Sequence, residues 1–227
     1  MGIDPPQPTS RWNTTGLILE GIAGTGKSTA IRSLLVSEAW IKKGHISSIV
    51  LSEHQTQRVL EANEKLGPLQ VQDHQILLSK IVSMLEQFNS GLQAMDWSAR
   101  NRQAHKLPFL LERFHFTHVF HYPGMTWEDV DDIDARLAVL NAKVCMLTIN
   151  PVVMKQRIVW DTNKNGWQSF LQRFGKSDDE IIEHFIIQQE HLIRLTKLTR
   201  LPCRIIDTSN TPTQRVVEEM LDFWALT

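Results

Sequence analysis

Residues 16–29 read Gly16-Leu17-Ile18-Leu19-Glu20-Gly21-Ile22-Ala23-Gly24-Thr25-Gly26-Lys27-Ser28-Thr29. The first five form a short apolar run of the kind that makes a buried strand. Gly21 to Ser28 then match G-x-x-x-x-G-K-[ST] in full, and apolar Ile31, Leu34, Leu35 and Ala39 follow at helical spacing. The order strand, glycine turn, helix gives this pattern its meaning. The glycines let successive backbone N–H groups converge on phosphate oxygens. The helix N-terminus adds the positive end of its dipole. Lys27 can reach β- and γ-phosphates, and the Ser28 hydroxyl can ligate Mg²⁺. Gly21, Ile22, Ala23, Gly24, Thr25, Gly26, Lys27, Ser28 and Thr29 are therefore the candidate phosphate cradle, for ATP or GTP.

The same alternation continues outward. Apolar runs at 46–52, 107–112, 143–149 and 203–207 read as four more strands. Helical patterns cover 28–43, 53–65, 73–90, 126–141, a segment from Pro151, 177–199 and 211–224. Thr126 to Asp129 reads as a capped helix start, and Ser177-Asp178-Asp179-Glu180 as a capping box. Asn150-Pro151 puts proline in a first helical turn. Residues 91–106 are ambiguous, with a helix from Trp97 as one option. Strands separated by helices predict a doubly wound parallel five-stranded α/β sheet, with its chemistry at the carboxyl ends of the strands. Residues 1–12, with three prolines and no periodicity, are expected to be a poorly ordered tail. Residues 13–227 are expected to form one domain.

Composition narrows the partners. Lys plus Arg is 24 and Asp plus Glu is 25, a net charge of −1. This balance gives no general attraction to nucleic acid or an anionic membrane, so phosphate recognition must be local. Cys145 and Cys203 sit in β-like apolar runs and build neither a disulfide framework nor a zinc quartet. No run is long enough to span a bilayer, and no signal-peptide pattern opens the chain. A cytoplasmic protein is the expectation.

The stretch Leu110-Leu111-Glu112-Arg113-Phe114-His115-Phe116-Thr117-His118 ends an apolar run on a carboxylate and a guanidinium. Glu112 falls at the carboxyl end of a predicted strand, which in a doubly wound sheet faces the nucleotide. There it can hold Mg²⁺ or its waters beside Ser28. The planar fork of Arg113 can bridge phosphate oxygens. A structural Glu–Arg pair at a helix start is the alternative. His115, His118 and His121 recur every third residue, but no Cys or acidic ligand joins them at zinc spacing. Pocket lining by these histidines, His115 and His118 foremost, with Phe114, Phe116 and Tyr122 as flat rings against a planar acceptor, is the expectation, with core packing as its rival.

Together "LILEGIAGTGKST", "LSEH" and "LLERFHFTHVF" resemble the deoxynucleoside kinase and thymidylate kinase group of P-loop kinases. The resemblance spans the element order over roughly 16–224, while residue matches cover a few dozen positions. It implies that Glu112 assists the metal and that Arg113 contacts phosphate and the acceptor hydroxyl. It implies that Glu53, at the end of the second strand, is the general base; an acid at a helix N-terminus, favoured by the dipole, is the alternative. It also implies a lid after the fourth strand, about 158–176, with Arg157 as its first cation and Lys164 or Arg173 as a second. ATP and Mg²⁺ are the implied cofactors. Phe114 stands where relatives carry Ser, His118 where they carry a base-reading Asp, and no Pro follows Glu53; these departures leave the acceptor open.

Within the lid, Asp161, Asn163, Asn165 and Gly166 imitate a calcium loop, but position twelve is Gln172 where a bidentate Glu is needed. The resulting expectation is an ATP-dependent small-molecule kinase acting on a nucleoside, nucleotide or similar hydroxylated acceptor, with Lys27, Glu53, Arg113 and Arg157 as catalytic residues. A kinase for another metabolite or antibiotic, or a non-catalytic nucleotide-binding module, are the alternatives. A small-molecule acceptor and ATP are the expected partners, without nucleic acid or membrane, and a homodimer stays open.

Overall fold

In the computed structural model, residues 12–42, 48–61, 67–94, 105–160 and 166–225 are described. Five strands, β1 (Trp12–Glu20), β2 (Ile49–Leu51), β3 (His105–Glu112), β4 (Ala142–Thr148) and β5 (Cys203–Asp207), form one sheet in the order β2-β3-β1-β4-β5. Every neighbouring pair is parallel. The helices are α1 (Lys27–Leu35), α2 (Glu38–Lys42), α3 (Glu53–Thr56), α4 (Val71–Ala94), α5 (His115–His121), α6 (Asp131–Val139), α7 (Pro151–Met154), α8 (Trp167–Leu171), α9 (Asp178–Leu195) and α10 (Thr213–Trp224). The predicted doubly wound α/β sheet is the observed one.

Period-2 alternation explains why helices cover both faces. Ile18, Phe109, Leu111, Val144 and Met146 point into one core, with α4, α5, α6 and α9. Their neighbours Leu17, Leu19, Leu110, Cys145 and Leu147 point into the other, with α1 and α10. A strand buried on both faces reads as a continuous apolar run, which is why these segments were legible. Cys145 is a buried free thiol whose pKa burial pushes up to about 12, so it behaves as a small hydrophobe. β1 is central, with β2 and β3 on one side and β4 and β5 on the other. The connections leaving its carboxyl end therefore diverge and open a crevice there.

Several boundaries differ from expectation. Trp12, assigned to the tail, opens β1 opposite His105. Residues 1–11, the segment around Trp97 and the calcium look-alike positions Asp161, Asn163 and Asn165 lie outside the described residues, as does Lys164. The single helix expected at 28–43 is two, because Ser37 ends one and caps the next by accepting from Trp40 N at 3.2 Å. The helix expected from 53 stops at Thr56, where Gln57 leaves helical geometry at φ −139°, ψ −61°. Asp129 caps the turn at Thr126, and α6 starts only at Asp131. The capping box at Ser177 and Glu180 is present as predicted. No described helix is long and apolar enough to cross a membrane.

Candidate active site

The turn after β1 is shaped by close approach. Gly21 has φ 141°, and a Cβ there would lie 2.4 Å from Leu147 O. Gly24 has φ 78°, and its Cβ would meet Ile158 Cγ1 at 2.8 Å. Only glycine fits either position without strain. Lys27 is 5% exposed and folds back over the loop, donating to Gly21 O and Ile22 O, both at 2.8 Å. Burial, and then the Arg113 charge, lower its pKa to about 7 despite the nearby carboxylates.

Register fixes the next group. Leu19 of β1 lies opposite Glu112 of β3, one residue before Glu20 and the glycine turn. The Ser28 hydroxyl, at the start of α1, donates to Glu112 Oε1 at 2.8 Å. A hydroxyl and a carboxylate in contact make a hard-oxygen donor set that fits Mg²⁺. Among the described residues no group of three or more His, Cys, Asp or Glu is clustered for a metal. Few protein ligands is what a magnesium shared with nucleotide phosphates requires. Thr56 Oγ1 donates to the Glu112 carbonyl at 2.5 Å, tying α3 to the end of β3.

Arg113 sits in the left-handed region at φ 53°, which a non-glycine residue holds only when its surroundings over-determine it. The surroundings do so here. Its N–H donates to Leu19 O at 3.0 Å, and the next N–H, of Phe114, donates to the buried Glu20 carboxylate at 2.8 Å. Thr117 donates to the other Glu20 oxygen at 2.6 Å. The turn directs Arg113 toward Glu53, with Nε 3.0 Å from Oε2. That N–H has no well-directed acceptor, so the contact is a charge pair and not a hydrogen bond. Arg58 takes the other Glu53 oxygen at 3.0 Å. Burial raises the Glu53 pKa, but Arg113, Arg58 and Lys27 outweigh it and hold the carboxyl below its usual range.

The expected acceptor residues are a correction. Phe114, His115 and His118 are all fully buried and do not line the cleft. Phe114 belongs to the core on the α4, α5 and α9 side. His115 Nε2 meets Asp134 at 3.1 Å, deep under α6. His118 Nε2 lies 2.8 Å from Thr56 O and so must donate; its Nδ1 then accepts from His74 Nδ1 at 3.2 Å. Burial pushes His118 down to about 3, leaving it neutral. The physical reason is depth: His115 to Val119 are all buried, on every side of α5, and only its carboxyl end reaches the cleft. His121 and Tyr122, at the end of α5, line the cleft instead.

The segment after α7, where a lid was expected, begins as an unusual helix. After α7, residues Lys155–Trp160 form a π-turn, a geometry frequent at functional sites. Arg157 lies in it and donates to Thr208 O and Ser209 O, both at 2.8 Å. Thr208 in turn donates to Thr25 O at 3.1 Å. A chain of polar contacts thus joins the π-turn, the loop after β5 and the glycine turn. Trp167 Nε1 donates to Ile158 O at 2.7 Å and fastens α8 to the π-turn.

Lys27, Ser28, Glu53, Glu112, Arg113 and Arg157 face one cleft of about 1350 Å³. Lys27, Arg32, Arg58, Arg113, Arg157 and Arg173 line it against Glu53, Glu61 and Glu112. The cationic surplus suits polyanionic ligands, in a chain that is nearly neutral as a whole. Sequence reading missed Arg58, Phe170 and Gln188 on these walls; it had named His121 and Tyr122 beside the buried residues. Arg58 carried a usable signal, five residues after Glu53; Gln188 carried none, because the pairing of α5 with α9 is purely tertiary.

No protein-family model matches the chain, and no curated protein is significantly similar to it in sequence. Solved structures do match. A shikimate kinase from Bacteroides thetaiotaomicron superposes with a TM-score of 0.54 at 15% identity, covering 93% of this chain and 98% of that one. The YorR protein from Bacillus subtilis, in complex with phosphorylated GDP, gives 0.51 at 15% identity, with 93% and 96% covered. A thymidylate kinase from Ehrlichia chaffeensis gives 0.51 at 13% identity, with 94% and 99% covered. The chain has the P-loop kinase fold.

Proposed function

We propose that this protein is an ATP-dependent small-molecule kinase that transfers the γ-phosphoryl group to a hydroxyl of a nucleoside, nucleotide or similar acceptor. One observation carries the reading: Lys27, the Ser28–Glu112 pair and the Glu53–Arg113 pair converge on a single cleft beside the glycine turn. A passive nucleotide binder has no use for the second pair. The kinases among the structural neighbours support the same reading.

The acceptor oxygen bonds to the γ-phosphorus, the bond to the β,γ-bridging oxygen breaks, and ADP leaves. Backbone N–H groups of Gly24, Gly26 and Lys27 cradle the phosphates, while the Lys27 ammonium moves from the loop carbonyls to phosphate oxygen. Arg113, fixed by its strained turn, meets the charge on the transferring group without reorganising. Ser28 and Glu112 would hold Mg²⁺, which would neutralise charge on the phosphates. Glu53 accepts a hydrogen bond from the attacking hydroxyl and takes up its proton. Because its pKa is low, it orients more than it deprotonates. Arg157 tethers the lid over the donor, and closure excludes water.

An ADP-release screen across nucleosides, nucleotides, sugars and small metabolites tests this. Acceptor-dependent release abolished by Lys27→Ala is the expected result. ATP binding with no acceptor-dependent turnover across the panel would overturn it.

A further inference from the structure

Between α5 and α9 the cleft ends in a wall that phosphoryl transfer does not use. Gln188, on α9, is 1% exposed yet lines this wall. Its Nε2 lies 3.0 Å from His121 Nε2. Its Oε1 is buried and has no hydrogen-bond partner among the described residues. Burial, with Arg113 and His184 adding to it, pushes His121 down to about 3, so its ring is neutral. A neutral ring can accept the amide N–H at Nε2 and keep its own proton on Nδ1. One of the amide's two N–H groups then goes to His121, and Oε1 is the amide atom left with no partner among the described residues. Buried polar atoms are nearly always satisfied, so an orphan beside a cleft is where a ligand group belongs.

What surrounds that oxygen is flat. Tyr122, Phe170 and Phe174 line the same cleft. Phe174 is stacked on His184 at 4.2 Å, and His184 lies one helical turn before Gln188. Phe170 meets Phe174 edge-on at 5.0 Å. Aromatic faces bind planar rings with little demand for polarity. An acceptor in the surrounding amide plane must present a donor, since a second acceptor would repel Oε1.

We propose that Gln188, held in place by His121, reads the acceptor, and that the acceptor carries a planar nitrogen heterocycle whose edge N–H donates to Gln188 Oε1 among the Tyr122, Phe170 and Phe174 rings. This rests on the kinase reading, because it assigns the acceptor half of the same cleft. It transfers to His121 and Gln188 the recognition role that the sequence had suggested for His118.

The experiment compares acceptors that differ by one methyl group: thymidine with N3-methylthymidine, inosine with 1-methylinosine, and adenosine with N6,N6-dimethyladenosine, together with their monophosphates. At least one N–H compound should be phosphorylated with a KM about tenfold or more below that of its methylated partner, as a site built around one hydrogen bond rejects an analogue lacking it. Gln188→Met, of similar volume and without polar atoms, should raise KM for that acceptor, hold kcat within a few-fold, and abolish the discrimination. A merely structural Gln188 would move thermal stability and leave the discrimination intact. Equal KM for the methylated and unmethylated compounds in the wild type overturns the proposal without any variant. So does a rise in KM for ATP in place of the acceptor, which would put the donor ring on this wall. If ring-free acceptors alone turn over, the kinase reading stands and this one falls. If nothing turns over while ATP binds, the kinase reading falls, and tryptophan quenching by the free nucleosides decides here: binding that does not depend on the N–H overturns the proposal.

Discussion

The Ser28 hydroxyl donates to Glu112 Oε1 across 2.8 Å, although 84 residues separate them in sequence. One residue opens the first helix and the other closes the third strand, and the pairing of Leu19 with Glu112 brings them together. If the pair holds Mg²⁺ as proposed, the contact keeps its two donors assembled before nucleotide arrives. Glu112→Gln leaves the shape and removes the charge. Turnover should fall by about 10²–10³-fold, the usual cost of one group aimed at transition-state charge, and the Mg²⁺ concentration for half-maximal rate should rise. Ser28→Ala should act on the same step, so the double variant should lose less than the product of the two single losses. Mg²⁺ titrations of initial rate check this; independent, multiplicative losses would separate the two residues.

Lys27 gives a proton signature to nucleotide binding. In the free protein its pKa is lowered to about 7, first by burial and then by Arg113. Phosphate beside the ammonium favours its charged form and raises the pKa in the complex. The sign follows: below pH 7 the lysine is already charged and binding takes up no proton there. Above pH 7 binding must protonate it, and affinity falls as pH rises toward the pKa of the complex. Calorimetry at pH 8 in buffers of different ionisation enthalpy should show uptake approaching one proton, absent in Lys27→Met. Equal apparent enthalpies across the buffers would refute this.

Arg58 tunes Glu53 from outside the transfer path. It takes one carboxylate oxygen at 3.0 Å while Arg113 stands 3.0 Å from the other. Burial works to raise the Glu53 pKa, and the two arginines with Lys27 more than cancel it. Removing Arg58 removes part of that cancellation. In Arg58→Ala the acidic limb of the pH–kcat profile should therefore shift to higher pH. Glu53→Gln should abolish that limb and lower kcat by about 10²-fold or more, as loss of a positioned base does. An acidic limb unmoved by Arg58→Ala would assign it to another group.

The parts of this site that were readable from sequence are those fixed by local pattern or by strand ends. The glycine turn is contiguous, so its spacing carries its geometry. Glu112 and Glu53 stand where buried apolar runs stop, and in a doubly wound sheet every such end faces the same crevice. The acceptor wall obeys neither rule. Along a helix, residues three apart rotate by about 60° around the axis. His115, His118 and His121 therefore fan across α5 by about 120° between first and last. Nothing in their spacing says which one meets the cleft. Depth along the helix decided it: His115 to Val119 are all buried, and only the carboxyl end of α5 reaches the cleft. Gln188 depends on how α9 leans on α5, which no local pattern encodes. The π-turn at Arg157 is invisible for a similar reason, since its sequence reads as ordinary helix.

His118 should make the protein acid-sensitive well above the carboxylate range. Its ring is fully buried, donates to Thr56 O and accepts from His74, so it folds neutral. Its folded pKa is lowered to about 3, chiefly by burial, from an ordinary value of 6.5. Between those values the unfolded chain binds a proton that the folded chain does not, so unfolding stability falls as pH drops. The contribution is fully present above pH 6.5 and is lost progressively below it, at up to about 1.4 kcal/mol per pH unit. Thr56 also donates to Glu112 O, so protonation strains the link from α5 through α3 to the metal-binding end of β3. His118→Gln keeps a donor where Nε2 stands and cannot titrate. Urea midpoints from pH 7.5 to 5 should fall more steeply in the wild type than in His118→Gln, with the gap opening below pH 6.5. Parallel midpoints across that range would show that His118 is charged in the folded state, or that its hydrogen bonds break before it titrates.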